Sequence, residues 1–348
     1  MRAFLKFIGF RLFALGFGLF LSAIVAEVAL RAMNMGFGNS PMEPDPVLHH
    51  VHPKNYSFVQ QHPSGELGGF EIEYNAEGRV YRGRAAGSSE PANAPCRIAL
   101  MGDSFTEAGQ VPFPESFAGL IEAAAPRCAV RDYGVRSYSP AIYLVQWTRV
   151  IEPWKPTHVF VLVFGGDVRE DVEYLKAASL DAQGLPTAIH GPDDGWLVAQ
   201  LRRSYVARFA RMISQRIDWA MTHRGQEQWT VGGVVEEHPD WAGPTPRLIE
   251  ELNRRVQASG GLLTVMVVPS RYRFMGDGKI PLTSDLHDTV GAWASERQIA
   301  FLDLNTPFER ESKAGKSLFF LQDIHFTSEG HKVVAAAIAA KYPDLVAR

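Results

Sequence analysis

The chain has 348 residues, of which 46% are hydrophobic and 21% are charged. This length and composition suit one large globular domain with a sizeable core. The formal net charge of −3 provides no basic surface for a polyanion, and Lys and Arg are not interleaved with aromatic residues, so we exclude nucleic acid as a partner.

An apolar segment near the N-terminus predicts a membrane-spanning helix. Residues 7–30 are predominantly apolar, and residues 12–26 carry no charge. As a helix the segment would be roughly 36 Å long at ~1.5 Å per residue, which exceeds the ~30 Å hydrocarbon core of a bilayer. Arg2, Lys6 and Arg11 precede the uncharged part. The positive-inside rule therefore predicts a cytoplasmic N-terminus and an exported body.

A cleaved signal peptide is the competing interpretation of this segment. Signal peptides have a shorter apolar region that ends in a small-x-small cleavage site, and no good site of this kind follows the apolar run. We therefore favour a retained anchor over residues 1–34. The protein is then predicted to be a single-pass membrane protein with a periplasmic or extracellular body.

The next segment, residues 35–95, is rich in Pro, Gly, Ser and His. Its composition predicts a linker, a small β element around Phe70–Tyr74 and a loop over Gly83–Pro95.

From residue 96 onward, short apolar runs alternate with helical patterns. Strands are predicted at 98–101, 130–134, 158–164, 262–268 and 300–304, and helices at 116–125, 143–152, 246–258, 286–298 and 329–341. This alternation predicts an α/β domain over residues 96–348, with helices on both faces of a parallel sheet. An insertion at about 175–240 interrupts it, with a predicted hairpin at 181–189 and an amphipathic helix at 205–221.

The two cysteines precede the first two predicted strands of this domain. If these strands are parallel neighbours, Cys96 and Cys128 lie near the same end of the sheet and could form a disulfide, which would suit an exported body. Two free buried thiols are the alternative.

Reactive or small residues follow several of the predicted strands, and the carboxyl ends of parallel strands are where such sheets bind ligands. Ser104 follows the first strand, Gly134 the second and Gly166 the third, while Asp323 and His325 precede the last helix. A serine hydroxyl becomes nucleophilic when a base accepts its proton. His325 can be that base, and Asp323 can orient it. The two glycines and the Ser104 amide suit an oxyanion hole.

Four segments resemble motifs of the SGNH/GDSL hydrolases, and particularly of their membrane-anchored members. They are MGDSFTEA at 101–108, DYGVRSYSP at 132–140, QDIHFTSEGH at 322–331 and, upstream, YNAEGRVYRG at 74–83. The resemblance implies a three-layer, flavodoxin-like α/β/α fold. It assigns Ser104 as the nucleophile, Asp323 and His325 as its partners, and Gly134 as an oxyanion donor.

The sequence departs from the pattern of this family in two places. Gly166 occupies the position of an Asn whose side chain normally donates to the oxyanion, and losing one such donor can cost ~10²–10³ in rate. Asp323 and His325 are separated by one residue, whereas many members have two residues between them. The shorter spacing also occurs in the related alginate-type O-acetyltransferases.

The resemblance implies a serine esterase that cleaves acyl esters, for instance O-acetyl esters, on an envelope or secreted carbohydrate. One alternative is an O-acyltransferase that moves an acyl group onto such a carbohydrate. A second is a carbohydrate-binding domain that no longer turns over. No metal or organic cofactor is implied, since the triad supplies both nucleophile and base.

Several other residues have plainer expected roles. Four histidines before residue 63 could bind a metal, although a solvated loop is the favoured interpretation (His49, His50, His52 and His62). Asp103 is expected to hold its turn, and His331 to be a helix residue near the site. The charged residues Asp167, Arg169, Glu170 and Asp171 could line the mouth of a pocket, with a charged loop as the favoured interpretation. Trp196 and Trp241 could stack on a sugar, with core packing as the default.

Overall fold

The computed structural model describes residues 2–33, 35–38, 40–81, 94–222, 241–275 and 286–346. Its strands are β1 (Phe37–Gly38), β2 (Glu43–Asp45), β3 (His49–Val51), β4 (Tyr56–Gln61), β5 (Gly68–Tyr74), β6 (Val80–Tyr81), β7 (Cys96–Gly102), β8 (Cys128–Asp132), β9 (His158–Val163), β10 (Ala178–Leu180), β11 (Pro186–Ile189), β12 (Leu262–Val267) and β13 (Ala300–Phe301). Its helices are α1 (Arg2–Ala32), α2 (Ser104–Glu107), α3 (Phe117–Ala124), α4 (Pro140–Gln146), α5 (Asp167–Lys176), α6 (Gly195–Arg203), α7 (Tyr205–Thr222), α8 (Thr245–Ala258), α9 (Arg271–Met275), α10 (Leu286–Glu296), α11 (Asn305–Lys313), α12 (Ser328–Lys341) and α13 (Pro343–Val346).

A five-stranded parallel sheet forms the centre of the domain, with strand order β13-β12-β9-β7-β8. Numbered along the chain this order is 2-1-3-4-5, which is the flavodoxin-like arrangement. Alternate residues of each strand enter different cores. On β9, for example, Val161 lies in one apolar cluster and Leu162 in the other. A sheet buried on both faces requires the uninterrupted apolar runs seen in the sequence, and the predicted three-layer fold is confirmed.

Cys96 and Cys128 are paired across β7 and β8 and form a disulfide. The two residues begin adjacent parallel strands, as the sequence predicted. Of the two alternatives left open for these cysteines, the structure contains the disulfide.

Residues between α1 and β7 form more β structure than a linker. Strands β1, β4, β5 and β6 make a small sheet, and β2 pairs with β3. A separate apolar cluster of Phe58, Ile72, Tyr74 and Val80 stabilises the small sheet. We refer to residues 35–81 as the N-terminal β unit. The predicted loop at 83–95 lies almost entirely outside the described residues.

Within the predicted insertion, β10 and β11 form the hairpin, and α7 closely matches the amphipathic helix predicted at 205–221. Helix α6 precedes it and was not predicted. The inner face of α7 packs on the N-terminal β unit, where Tyr205 donates to the Ser57 carbonyl (3.1 Å) and Phe209 contacts Phe37. The polar stretch after α7 lies outside the described residues.

Helix α1 contains a segment, Phe7–Ala32, that is long and apolar enough to cross a membrane, with a mean hydropathy of 2.1. Its apolar side chains are exposed on the protein surface. Near its end, Glu27 accepts hydrogen bonds from the amides of Tyr205 (3.1 Å) and Val206 (2.9 Å) and from the Ser204 hydroxyl (2.8 Å). Glu27 therefore caps the N-terminus of α7 and joins α1 to the body.

Candidate active site

Ser104 lies in a tight turn between β7 and α2. Asp103 caps α2, because its Oδ1 accepts a hydrogen bond from the Phe105 amide (2.9 Å). A side chain at Gly102 would meet Thr106 Oγ1 at 2.1 Å, so only glycine allows α2 to fold back this closely on the strand. The turn sets Ser104 at the carboxyl end of the central sheet and at the first position of α2.

His325 and Asp323 meet Ser104 in one hydrogen-bonded chain. His325 Nε2 lies 2.7 Å from Ser104 Oγ, while His325 Nδ1 forms a short hydrogen bond with Asp323 Oδ1. The same Asp323 oxygen accepts the backbone amide of His325 at 2.9 Å. The imidazole also contacts the ring of Phe105, with centroids 4.7 Å apart. The structure therefore brings together the three residues that the sequence singled out as a triad, in the bonding order nucleophile, base and acid.

The environment of Asp323 favours its ionised form. Burial opposes ionisation, but the charge and hydrogen bonds of His325 outweigh burial and lower the pKa of Asp323 to about 2. His62 makes a smaller contribution in the same direction, since its Nε2 lies 3.5 Å from Asp323 Oδ2. An ionised Asp323 can accept the Nδ1 proton of His325 and so leave Nε2 to act as the base.

Residues that the sequence did not single out hold the loop that carries Asp323. Glu66 accepts the amides of Leu321 (2.5 Å) and Gln322 (2.6 Å). On the other side, Arg271 donates to the Asp323 carbonyl (3.1 Å). His62 and Glu66 belong to the N-terminal β unit, so this unit supports the triad.

The glycines predicted for the oxyanion hole differ in their surroundings. The Gly134 amide donates to Asp132 Oδ1 at 2.8 Å. A side chain on Gly134 would lie 2.2 Å from the Glu107 amide nitrogen, so this glycine allows its loop to pack directly on α2. Gly166 is at the N-terminus of α5 with φ −68° and ψ −24°. Ser104 is the first residue of α2, so its backbone N–H has no hydrogen-bond acceptor within the helix. The oxyanion assignments of all three residues remain predictions.

Glu107 is a buried carboxylate three residues after Ser104. Its oxygens contact four polar groups, which are Tyr74 OH (3.0 Å), Ser40 Oγ, the Arg136 amide (3.0 Å) and His52 Nε2 (3.6 Å). Burial raises the pKa of Glu107, but the charge of His52 and the hydrogen bond from Ser40 outweigh burial and lower that pKa to about 2. Glu107 thereby joins the nucleophile helix to the N-terminal β unit.

The charged residues after Gly166 form helix α5 and not the expected loop. Asp171 is buried, and three hydrogen bonds compensate the burial of its carboxylate. It accepts them from Ser139 Oγ (2.5 Å), the Ala141 amide (2.7 Å) and Thr245 Oγ1 (2.5 Å). Burial raises the pKa of Asp171 to about 6. This role of Asp171 could not be predicted from the sequence, because its hydrogen-bond partners come from elements distant in the chain. Asp103 holds its turn, as expected, and burial raises its pKa to about 6.

The early histidines form no joint site. Among the residues that the structure describes, no group of three or more His, Cys, Asp or Glu could hold a metal ion. His49 and His50 contact each other, with their Nδ1 atoms 2.8 Å apart, whereas His52 faces Glu107 and His62 faces Asp323. His331 is a buried residue of α12, and burial lowers its pKa to about 3.

The two tryptophans considered for sugar stacking lie apart. Trp241 packs against the ring of Trp293, with centroids 5.1 Å apart, as part of the apolar core. Trp196 is on α6, and 75% of its surface is exposed.

Comparison with known proteins finds a family model that is similar to the C-terminal third of the chain. Residues 236–347 match the family model described as the SGNH hydrolase-like domain of the acetyltransferase AlgX. A sequence comparison with curated proteins gave no significant match.

Several solved structures are similar in fold at low identity. An α/β hydrolase enzyme, LAE5, from the metagenome of Lake Arreo is 15% identical, with 72% of this chain and 97% of that chain covered and a TM-score of 0.42. A G-D-S-L family lipolytic protein from Veillonella parvula is 13% identical (70% and 96% covered, TM-score 0.38). A catalytic mutant of Axe2, an acetylxylan esterase from Geobacillus stearothermophilus, is 14% identical (72% and 94% covered, TM-score 0.38).

The sheet topology and the match of residues 236–347 both agree with an SGNH hydrolase-like fold. The C-terminal third of the chain is thus similar to an SGNH hydrolase-like domain, and the chain has in addition an apolar N-terminal helix that is a candidate membrane anchor.

Proposed function

We propose that the protein is a serine esterase that removes acyl groups, most simply O-acetyl groups, from an envelope or secreted carbohydrate. One observation carries the proposal. Ser104 Oγ is 2.7 Å from His325 Nε2, and the other imidazole nitrogen is bonded to an ionised, partly buried Asp323. A hydroxyl paired with an oriented base is the minimal arrangement for nucleophilic acyl transfer.

In the proposed reaction, Ser104 Oγ attacks the ester carbonyl while His325 Nε2 takes the hydroxyl proton. The tetrahedral intermediate collapses when the carbon–oxygen bond to the sugar breaks, and His325 returns the proton to the departing alkoxide. Water then loses a proton to His325 and attacks the acyl–Ser104 ester. Release of the carboxylic acid and return of the proton to Ser104 complete the cycle.

The proposal can be tested with a fluorophosphonate probe and with p-nitrophenyl acetate, using the full chain in detergent. We expect covalent labelling and ester hydrolysis in the wild type and neither in Ser104→Ala. Ser179→Ala, at an exposed position on β10, is the matched control and should behave as wild type. Folded wild-type protein that is neither labelled nor active would reject the proposal and favour a binding domain without turnover.

O-acyl transfer to a carbohydrate is the second candidate function. The match to the AlgX acetyltransferase model and the one-residue spacing between Asp323 and His325 favour it. Both reactions share the acyl–Ser104 intermediate and differ in whether water or a sugar hydroxyl attacks it. Adding oligosaccharide acceptors to the p-nitrophenyl acetate reaction separates them, because a transferase would form acetylated oligosaccharide at the expense of free acetate.

We further propose that α1 is a retained anchor and that the body is exported. Three basic residues precede the uncharged part of the apolar segment (Arg2, Lys6 and Arg11), which favours a cytoplasmic N-terminus. The Cys96–Cys128 disulfide suits an oxidising compartment. The contacts of Glu27 with the N-terminus of α7 support retention, since cleavage after α1 would remove them. Protease digestion of intact and permeabilised cells tests the orientation. An exported body is cleaved once protease reaches the compartment outside the inner membrane, whereas a cytoplasmic body is cleaved only after the inner membrane is permeabilised.

A further inference from the structure

Helices α6 and α7 expose an unusually apolar surface next to the end of α1. On α7 the exposed residues Ile213, Ile217 and Met221 recur every fourth position and so lie on one side of the helix. On α6, Trp196, Leu197, Val198 and Leu201 are also exposed. Several large exposed apolar side chains on two successive helices are typical of an interaction site with a protein or a membrane.

This exposed face is separate from the face that α7 uses for folding. Tyr205 and Met212 are buried, and Trp219 contacts His62 of the N-terminal β unit. Among the residues that the structure describes, the outer side of α7 is therefore available in addition to the side that packs on the small sheet. A helix whose only task was to cover the small sheet would present polar residues to water on its outer side.

The contacts with α1 identify the occupant of the outer face. Glu27 caps the first turn of α7, and Arg31 donates to the Arg203 carbonyl at the end of α6 (2.9 Å). If α1 spans the bilayer, these contacts hold the junction of α6 and α7 where the chain leaves the hydrocarbon core. The apolar face then begins at the depth of the lipid headgroups.

An exposed tryptophan on α6 fits the same location. Trp196 is 75% exposed, and tryptophan is enriched at the membrane–water interface, where its ring is apolar and its N–H remains hydrated.

We propose that α6 and α7 form an interfacial platform that lies on the phospholipid leaflet from which α1 emerges. The inference rests on the proposed anchor role of α1. The platform fixes the body against the bilayer at two places, the spanning helix and the interfacial pair. Through the Trp219–His62 contact and the approach of His62 to Asp323, it also sets the distance between the triad and the membrane surface.

Single spin labels on the full chain in nanodiscs of phosphatidylcholine and phosphatidylglycerol test the platform. Both native cysteines are in the disulfide, so an introduced cysteine is labelled alone. Leu15→Cys reports on α1, while Leu197→Cys and Ile217→Cys report on the platform. Arg211→Cys, on the polar side of α7, is the matched control. The readout is the relative accessibility of each label to oxygen, which concentrates in lipid, and to a water-soluble nickel chelate.

We expect oxygen to dominate at Leu15→Cys, Leu197→Cys and Ile217→Cys, and nickel to dominate at Arg211→Cys. Oxygen dominance at Leu15→Cys with nickel dominance at both platform labels would overturn the platform and leave the anchor standing. Nickel dominance at Leu15→Cys would instead reject the anchor. Platform labels shielded from both reagents would also overturn the inference, since a second copy or another protein would then cover the face.

Discussion

The substitution Gly166→Asn tests whether the absent amide donor limits the reaction. Gly166 has helical backbone angles that any residue can adopt. A side chain there would meet the Phe164 ring carbons at 3.0 and 3.1 Å, so the ring must move by a few tenths of an ångström. At the N-terminus of α5, the Asn oxygen can accept amides of the helix, which would turn its NH2 group outward. We therefore expect the variant to fold and its side-chain NH2 group to add a hydrogen-bond donor beyond the carboxyl end of β9, the strand beside β7.

The size of the effect follows from opposing contributions. A well-placed oxyanion donor is worth about 2.7–4 kcal/mol in the transition state. Ordering the new side chain costs roughly 1–1.5 kcal/mol, and moving the Phe164 ring costs about 0.5–1 kcal/mol. The remainder is about 0.2–2.5 kcal/mol, and since ~1.4 kcal/mol, near the middle of this range, corresponds to a factor of ten, we expect kcat to rise about tenfold with little change in KM.

Two matched variants separate the donor from the added volume. Gly166→Ala supplies the same Cβ atom without an amide, and Gly166→Asp replaces the donor with an acceptor of the same shape. With p-nitrophenyl acetate as substrate, or with the rate of fluorophosphonate labelling where turnover is slow, activity should decrease in the order Asn, Gly, Ala, Asp. Equal rates for the Asn and Ala variants, both folded, would refute the reasoning and show that the oxyanion is stabilised elsewhere.

Three further variants test contacts around the site. Glu107→Gln should lower the free energy of unfolding by roughly 1.5–3 kcal/mol. Burial lowers the pKa of His52, but the charge of Glu107 outweighs burial and raises it, while the pKa of Glu107 falls from 4.5 to about 2. The pairing therefore contributes fully between pH 4.5 and 6.5 and is lost as pH rises through the higher folded pKa of His52, so the decline of the melting temperature above pH 6.5 should be smaller in Glu107→Gln. Replacing Cys96 and Cys128 by Ala opens a crosslink of sequence separation 32 and should cost about 3–4 kcal/mol in chemical denaturation. His62→Ala should lower kcat roughly fivefold at unchanged KM, the equivalent of about 1 kcal/mol of support for the triad acid, and an unaltered kcat would contradict that role.

The central sheet could be predicted because its strands are buried on both faces, and such strands leave continuous apolar runs in the sequence. Boundaries were less accurate where tertiary contacts decide them. The predicted strand at 300–304 is only two residues long in β13, since it is an edge strand paired on one side. The helix predicted at 143–152 begins at Pro140, which favours a first helical position, and it widens into a π-helical turn at Trp147–Ile151.

Of the small sheet in the N-terminal β unit, only β5 was predicted, as the β element around Phe70–Tyr74, where apolar and polar residues alternate. The other strands are two to six residues long and contain Gly or polar residues, so they give no comparable signal. Their stability comes from pairing and from contacts with α7 and α2, which are distant in the chain. The same reason hid Glu66, whose partners are backbone amides that carry no sequence signal.

The triad itself was recognisable because its residues follow strand ends or precede a helix, where local sequence fixes their positions. Several residues that support the triad lie instead in the N-terminal β unit, so removing this unit tests their role. A fragment of residues 94–348 retains Ser104, Asp323 and His325 but loses the N-terminal β unit that holds both ends of the triad, through Glu107 beneath α2 and through Glu66 on the acid's loop.

We therefore expect the 94–348 fragment to lose fluorophosphonate labelling, whereas a fragment of residues 36–348 should retain it, since it lacks α1 but keeps the N-terminal β unit. Removing the unit takes Tyr74 and His52 away from the Glu107 carboxylate and so removes the contacts that hold α2 from this side. Adding Glu107→Gln to the short fragment is the informative control, because it removes the charge but not the loss of support at Asp323. If the short fragment were folded and labelled as fast as the longer one, the N-terminal β unit would have no part in holding the triad. If Glu107→Gln restored folding of the short fragment but not its labelling, the reaction would require the support that the N-terminal β unit gives to the loop of Asp323.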